Sequence, residues 1–194
     1  PSRIDVISGG TQTTVQDIPG RCGYWHVGVP PSGPFDSYSF RLANQLLGNK
    51  ETAAGLEIAI QGPSLRFSCD SQIVIAGALI DAKLDEENVP LWSTINVRSG
   101  QTLTLGRVSE QGARSYLCVR GGIQCPEYLG SKSTFTLGQF GGHNGRALRA
   151  GDTLKLDVAA VSSRVEIQLD SELQPTISNQ WQLRVIYGPH GSPD

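Results

Sequence analysis

Leu56-Glu57-Ile58-Ala59-Ile60, Ser64-Leu65-Arg66-Phe67, Ile73-Val74-Ile75-Ala76 and Ile80 to Leu84 follow one another at short intervals. β-Branched and aromatic residues fill these runs, apolar and polar positions alternate in several of them, and Gly62-Pro63 and Gly77 separate them. That is the pattern of strands half buried in a sheet. It continues through Thr94 to Val97, Thr102-Leu103-Thr104-Leu105 and Arg114 to Val119, punctuated by Asp85-Glu86-Glu87-Asn88, Ser99-Gly100 and Gln111-Gly112. Short strands at regular spacing between such turns predict a mainly β chain, folded as a barrel or sandwich.

Upstream of this region, Ile4 to Val6 and the segment after Gly9-Gly10, Thr11 to Asp17, read as two further strands joined at a glycine turn. Pro19 to Pro34, dense in glycine and proline, predicts a rigid but irregular loop. One short helix is expected near 37–47, with Asp36 or Ser37 as N-cap, Tyr38, Phe40, Leu42, Ala43, Leu46 and Leu47 forming an apolar face, and Gly48-Asn49 as the stop. Downstream, residues 121–151 carry Gly121, Gly122, Gly130, Gly138, Gly141, Gly142, Gly145 and Gly151. A loop of that composition lets backbone come close to a ligand or to another chain. Asp152 to Val158 closes the pattern as a last strand. The expected organisation is a β domain over 1–158, a connector over 159–180, and the start of a second subdomain over 181–194, opened by the alternating run Trp181 to Tyr187. The sequence contains no Met and stops at Gly191-Ser192-Pro193-Asp194, which points to a piece of something longer.

Sixteen Lys and Arg stand against 18 Asp and Glu, a formal charge of −2 that argues against a nucleic-acid binder. With 18% charged and 38% hydrophobic residues, the chain is neither a solvated disordered segment nor a coiled coil. No run approaches the roughly 18 apolar residues of a membrane helix, and Pro1 to Val6 lacks a signal-peptide core, so no membrane partner is expected. Cys22, Cys69, Cys118 and Cys125 are widely spaced and form no C-x-x-C pair; reduced thiols and a cytoplasmic location are the expectation, and no metal site.

The sequence has no G-x-x-x-x-G-K-[ST], no H-E-x-x-H and no G-x-G-x-x-G after a strand, which argues against ATP hydrolysis, zinc proteolysis and dinucleotide binding. His26, His143 and His190 all lie in glycine- or proline-rich loops, where an imidazole serves either acid–base chemistry or an internal hydrogen bond. His143, beside Asn144 and Arg146, is the best candidate among them. Gln16-Asp17, Arg21 and Asp36 form either an ion-pair network that pins the loop or the polar wall of a pocket suited to a carboxylate or carbonyl ligand. Ser131, Ser133 and Thr134 offer donors, but no adjacent base is visible to activate a nucleophile. Tyr24, Trp25 and Tyr128 serve either to stack on a planar ligand or to pack loops.

Several runs carry a resemblance: Gly9 to Asp17 with Gly20-Arg21-Cys22-Gly23-Tyr24, Gly28-Val29-Pro30-Pro31-Ser32-Gly33-Pro34-Phe35-Asp36, Arg41-Leu42-Ala43-Asn44, Gly55-Leu56-Glu57, Arg120-Gly121-Gly122, Pro126 to Ser131, Ser133 to Gly138, and Gly141-Gly142 with Gly145-Arg146. Together they span nearly the whole chain, which resembles the allophanate hydrolase subunit 2 family. Asp36 to Asn44, Pro126 to Gly130 and Tyr187 to Asp194 are more similar to its urea carboxylase and urea amidolyase branch than to its 5-oxoprolinase branch. Phe35, where Met is usual, and Cys125, where a small aliphatic residue is more familiar, depart from the family pattern without removing a polar group.

The resemblance implies a cyclophilin-like β-barrel. It implies a carboxyltransferase that passes a carboxyl group from carboxybiotin to urea, giving allophanate, with guanidine or 5-oxoproline as alternative substrates and a non-catalytic assembly module as another reading. The biotin would ride on a separate carrier domain, and ATP and bicarbonate would be used by a separate biotin carboxylase domain. The sequence stops before the second half of the family's carboxyltransferase region, an expected partner in forming the pocket, so this piece alone is expected to be inactive. Site residues expected on this basis are Arg21, Ser32, Asp36, Ser131, Ser133, His143 and His190, in orienting and hydrogen-bonding roles, with the catalytic acid or base left unassigned.

Overall fold

The computed structural model describes residues 2–157 and 166–189. Twelve strands form two antiparallel sheets, and one α-helix, α1 (Ser37–Leu46), covers the outer face of the smaller one. The larger sheet runs β11 (Ile123–Gln124), β12 (Thr153–Leu156), β1 (Arg3–Ser8), β4 (Ser64–Phe67), β9 (Thr102–Val108), β6 (Ile80–Leu84) and β7 (Glu87–Asn88). The smaller runs β2 (Gln12–Gln16), β3 (Gly55–Ala59), β10 (Ser115–Val119), β5 (Ser71–Gly77) and β8 (Ile95–Val97). The mainly β architecture and the single helix are thus as the sequence predicts, while the barrel takes the form of two facing sheets whose strand orders stay open. After the turn at Gly9-Gly10, β2 pairs with β3 and so seeds a second sheet instead of lengthening the first.

Strand patterning fixes which side chains fill the space between the sheets. In β6, Ile80, Ala82 and Leu84 are buried while Asp81 and Lys83 face solvent, the period-2 signature of a one-sided strand. β10 is buried at all five positions because it is covered twice. Leu117 and Val119 join Ile4, Leu65, Phe67 and Leu103 of the larger sheet in the inter-sheet core, and Tyr116 and Cys118 pack outward with Phe40, Ala43 and Leu47 of the helix segment. Residues 40, 43 and 47 lie on one helical face. The helix starts where the Asp36 carboxylate accepts the Ser39 backbone N–H at 3.0 Å. It ends at Gly48, and Asn49 then ties its C-terminal side to the sheet by donating to the Val119 carbonyl and accepting from Gly121 N–H.

Two expectations need adjustment. Among the described residues the expected strand over Trp181 to Tyr187 has no sheet partner, and Trp181, Leu183, Val185, Ile186 and Tyr187 are at least 81% exposed. Alternating hydrophobicity supplies one face of a strand but no hydrogen-bond partner. Within the expected connector, residues 166–169 run antiparallel to 92–94. Thr94 N–H donates to Ile167 O at 2.8 Å, Leu169 N–H donates to Trp92 O at 2.8 Å, and the Leu169 side chain joins the helix-side core. All four cysteines are free thiols. Among the described residues, no helix is long and apolar enough to cross a membrane.

Candidate functional site

The glycine-rich segment after β11 folds back onto the loop that follows β2, and buried charges join the two. The Asp17 carboxylate is buried beneath residues 131–133: Oδ1 accepts both the Ser131 and the Ser133 hydroxyl at 2.6 Å, and Oδ2 accepts the Lys132 backbone N–H at 2.8 Å. Arg21, fully buried, donates from Nε to the Tyr128 carbonyl at 2.9 Å and from Nη2 to the Ser133 carbonyl at 2.7 Å. Its guanidinium carbon lies 5.0 Å from the centre of the Phe140 ring, within cation–π range. Burial lowers the proton affinity of this guanidinium from its usual range, and Asp17 opposes that shift. Nη1 is buried with no partner among the described residues. Gly141 permits the arrangement: its φ is +74°, and a Cβ there would sit 2.1 Å from the Ser133 carbonyl oxygen and 2.6 Å from Arg21 Nη2.

Above this clamp opens a cavity of about 790 Å³, lined among others by Tyr128, Phe140, His143, Asn144, Cys125 and Lys155. Its size is that of a small-molecule site, in the range of about 300–1,000 Å³. The Tyr128 and Phe140 rings, 4.8 Å apart, give it an apolar wall, and Phe140 leans in turn on Phe135 at 5.3 Å. Desolvation pushes the half-buried Cys125 thiol up to about 11, so it borders the cavity as a neutral group. At the polar end, His143 Nε2 lies 3.2 Å from Asp152 Oδ1 and 3.2 Å from the Asn144 side-chain amide nitrogen. Asp152 is itself held by a two-pronged bond from Arg146, at 2.7 and 2.8 Å, and by the Arg149 backbone N–H at 2.7 Å. The Arg146 donors hold its carboxyl well below the usual carboxylate range, so it is an anion at neutral pH.

The structure therefore divides the residues singled out in the sequence. Arg21, Ser131 and Ser133 come together, but underneath the cavity: the two hydroxyls are committed to Asp17, and Arg21 braces the wall without being part of the lining. Gln16, Asp17 and Arg21 do pin the loop, but by hydrogen bonds to backbone and hydroxyl groups in place of the expected ion pairs: Gln16 Oε1 also accepts Gly33 N–H at 2.9 Å and Arg21 N–H donates to Pro31 O. Ser32 sits in that returning loop with φ of 58°. Asp36 is separate from the cluster and caps the helix, while its own N–H donates to the Tyr116 hydroxyl at 2.7 Å. His143 lines the cavity. His190 lies outside the described residues. Sequence reading missed Asp152, Phe140 and Lys155. Asp152 reads locally as a strand-opening turn residue, and its pairing with His143 and Arg146 emerges only when the loop folds. Trp25 forms a solvent-exposed 3-10 turn with His26 and Val27 and does not line the cavity. Among the described residues no cluster of three His, Cys, Asp or Glu could hold a metal ion.

Comparison with known proteins places these features in context. A family model described as the carboxyltransferase domain, subdomain A and B, matches residues 27–193. The chain is 45% identical over 199 residues to the urea amidolyase of Saccharomyces cerevisiae, covering 100% of this chain and 11% of that protein. It is 37% identical over 152 residues to a 5-oxoprolinase subunit of Haemophilus influenzae, covering 78% of this chain and 48% of that one. The crystal structure of the Kluyveromyces lactis urea carboxylase superposes with a TM-score of 0.90 at 43% identity, over 99% of this chain and 18% of that one. The chain thus spans about a tenth of the length of the urea amidolyases it matches.

Proposed function

Because the chain belongs to the family of the carboxyltransferase domain, subdomain A and B, we propose that it is part of the carboxyltransferase domain of a biotin-dependent urea carboxylase, and helps transfer a carboxyl group to urea to give allophanate. The observation that carries this reading is the cavity. An aromatic wall of Tyr128 and Phe140 faces a polar end of His143 and Asn144 in a space large enough for two reactants. Bound biotin would supply the activated carboxyl group. The residues present suit it in kind, since Tyr128 and Phe140 offer apolar faces to a compact bicycle and Gln139 and Lys155 offer donors to a ureido or carboxylate oxygen. His143 and Asn144 would bind and orient the small planar amide, and the Arg21–Asp17 clamp would hold the aromatic wall in place.

On this reading the domain boundaries follow: a β domain over 1–158, a connector over 159–180 and a second subdomain beginning at 181–194. The exposed apolar run at 181–187 would then be covered by that second subdomain. Biotin carboxylase and biotin carrier domains are the further partners, ATP and bicarbonate are used by the former, and the setting is cytoplasmic. Arg21, Ser131 and Ser133 brace the site from beneath and Ser32 lies in the loop they pin, Asp36 serves the helix start instead, and His190 is retained as a candidate. The 37% identity to a 5-oxoprolinase subunit favours one second reading, a related activity on 5-oxoproline. ATP- and bicarbonate-dependent carboxylation by the full-length protein, with urea, guanidine and 5-oxoproline assayed side by side, tests the proposal. Turnover of urea well above the others is expected; turnover of none of them overturns it.

A further inference from the structure

His143 is the single imidazole lining the cavity, and its two ring nitrogens are not equivalent. Nε2 stands 3.2 Å from a carboxylate oxygen of Asp152, which cannot donate a proton, so an Nε2 lone pair there would face a negative charge. The carboxylate therefore keeps the proton on Nε2, and the adjacent Asn144 amide, once turned to present its oxygen, accepts from the same nitrogen. The lone pair then resides on Nδ1, which has no partner among the described residues. Asp152 cannot swing away, because Arg146 holds both its oxygens and Arg149 N–H adds a third bond. A ring fixed on one side by an ionised carboxylate, with a free nitrogen, in the wall of a ligand-sized cavity, is the arrangement of an oriented general base.

We infer that His143 is the acid–base residue of this cavity, taking a proton from the substrate's amide nitrogen at Nδ1, with Asp152 and Arg146 as positioning residues. The inference rests on the carboxyltransferase reading above and adds the group that moves the proton. One amide N–H bond breaks and its proton goes to Nδ1, while the electron pair left on nitrogen forms the new bond to the carboxyl carbon. The co-reactant is an N-carboxylated donor; His143 returns the proton to the donor nitrogen, which keeps the pair of the broken N–C bond. Protons and electrons balance, and His143 ends neutral.

The test uses the full-length protein with His143→Ala, His143→Gln and Asp152→Asn. Both His143 variants are expected to lose about 100-fold or more in kcat for urea carboxylation. The loss should fall mainly on kcat, with a smaller rise in KM because His143 also orients the substrate, and the circular dichroism spectrum and thermal midpoint of each variant report on folding. Added imidazole should restore part of kcat to His143→Ala and none to Asp152→Asn. A second readout needs no biotin: diethyl pyrocarbonate should carbethoxylate His143 more slowly when urea is present, whereas the solvent-exposed His26 reacts at an unchanged rate. His143 variants that keep kcat within threefold of the parent, or a His143 that urea does not protect, overturn the inference. A parent protein that does not carboxylate urea overturns the functional reading instead, and protection of His143 by guanidine or 5-oxoproline then decides whether the base assignment survives with another substrate.

Discussion

Replacing Gly141 with alanine tests the claim that the cavity wall is drawn against a buried arginine. The left-handed backbone at φ +74° costs an L-residue about 1–2 kcal/mol on its own. The new Cβ would also stand 2.1 Å from the Ser133 carbonyl oxygen and 2.6 Å from Arg21 Nη2, and those two atoms are bonded to each other at 2.7 Å. Neither can retreat without parting from the other, so relief of the clash removes a charge-assisted hydrogen bond worth about 1.5–3 kcal/mol. The total is about 2.5–5 kcal/mol, or a fall in Tm of about 5–20 °C for a chain of this size. Gly23→Ala is the matched control. Its φ is +92° and nothing lies within 4 Å, so only the backbone cost of about 1–2 kcal/mol applies. Thermal unfolding followed by circular dichroism measures both, and adds neither urea nor guanidinium, each of which is read as a candidate ligand. Gly141→Ala no more destabilising than Gly23→Ala would refute the reasoning.

Other outcomes follow from the same contacts. Asp17→Asn should lower stability by about 2–4 kcal/mol in the same assay, because an amide offers one acceptor oxygen where three donors converge, and the buried Arg21 loses its counter-charge. Tyr116→Phe should cost about 1–3 kcal/mol and loosen the start of α1, read by hydrogen exchange at Ser37–Phe40. The lost hydroxyl accepts Asp36 N–H and donates to Glu57 Oε2 at 3.0 Å. Asp152 has a folded-state pKa below its unfolded value of about 3.9, so its stabilisation is complete above about pH 5 and is lost as pH falls through the acid range. Unfolding midpoints at pH 7, 4 and 3 should fall less steeply in Asp152→Asn than in the parent. A native-state thiol reagent should modify exposed Cys22 quickly and leave Cys118 untouched until unfolding, since burial raises the Cys118 thiol well above the ordinary range.

How far the fold was legible depended on whether a residue's role is decided by its chain neighbours. Ile80 to Leu84 alternates, and its side chains alternate between core and solvent. Phe40, Ala43 and Leu47 have helical spacing and lie on one buried face. β10 shows the limit of this reading: its five buried positions look like an ordinary apolar run, and only the helix lying across it explains why Tyr116 and Cys118 are as hidden as Leu117. In the site, Arg21 was legible as a fixed cation but not as one enclosed by carbonyls more than a hundred residues away. His143 was visible by type, whereas Asp152 became meaningful only once the intervening Arg146 loop had closed on it. Trp181 to Tyr187 meets the same limit, since an alternating pattern registers a face that wants covering and is silent about what covers it.

The pairing of β1 with β12, Arg3 opposite Lys155, sets strands from near the two ends of the larger sheet's chain side by side, a spacing of about 5 Å. A unit with that geometry behaves like a closed link. The same pairing delays completion. The first strand made cannot acquire this neighbour until Leu156 has been synthesised, so the larger sheet is sealed only when almost all of its chain is in hand.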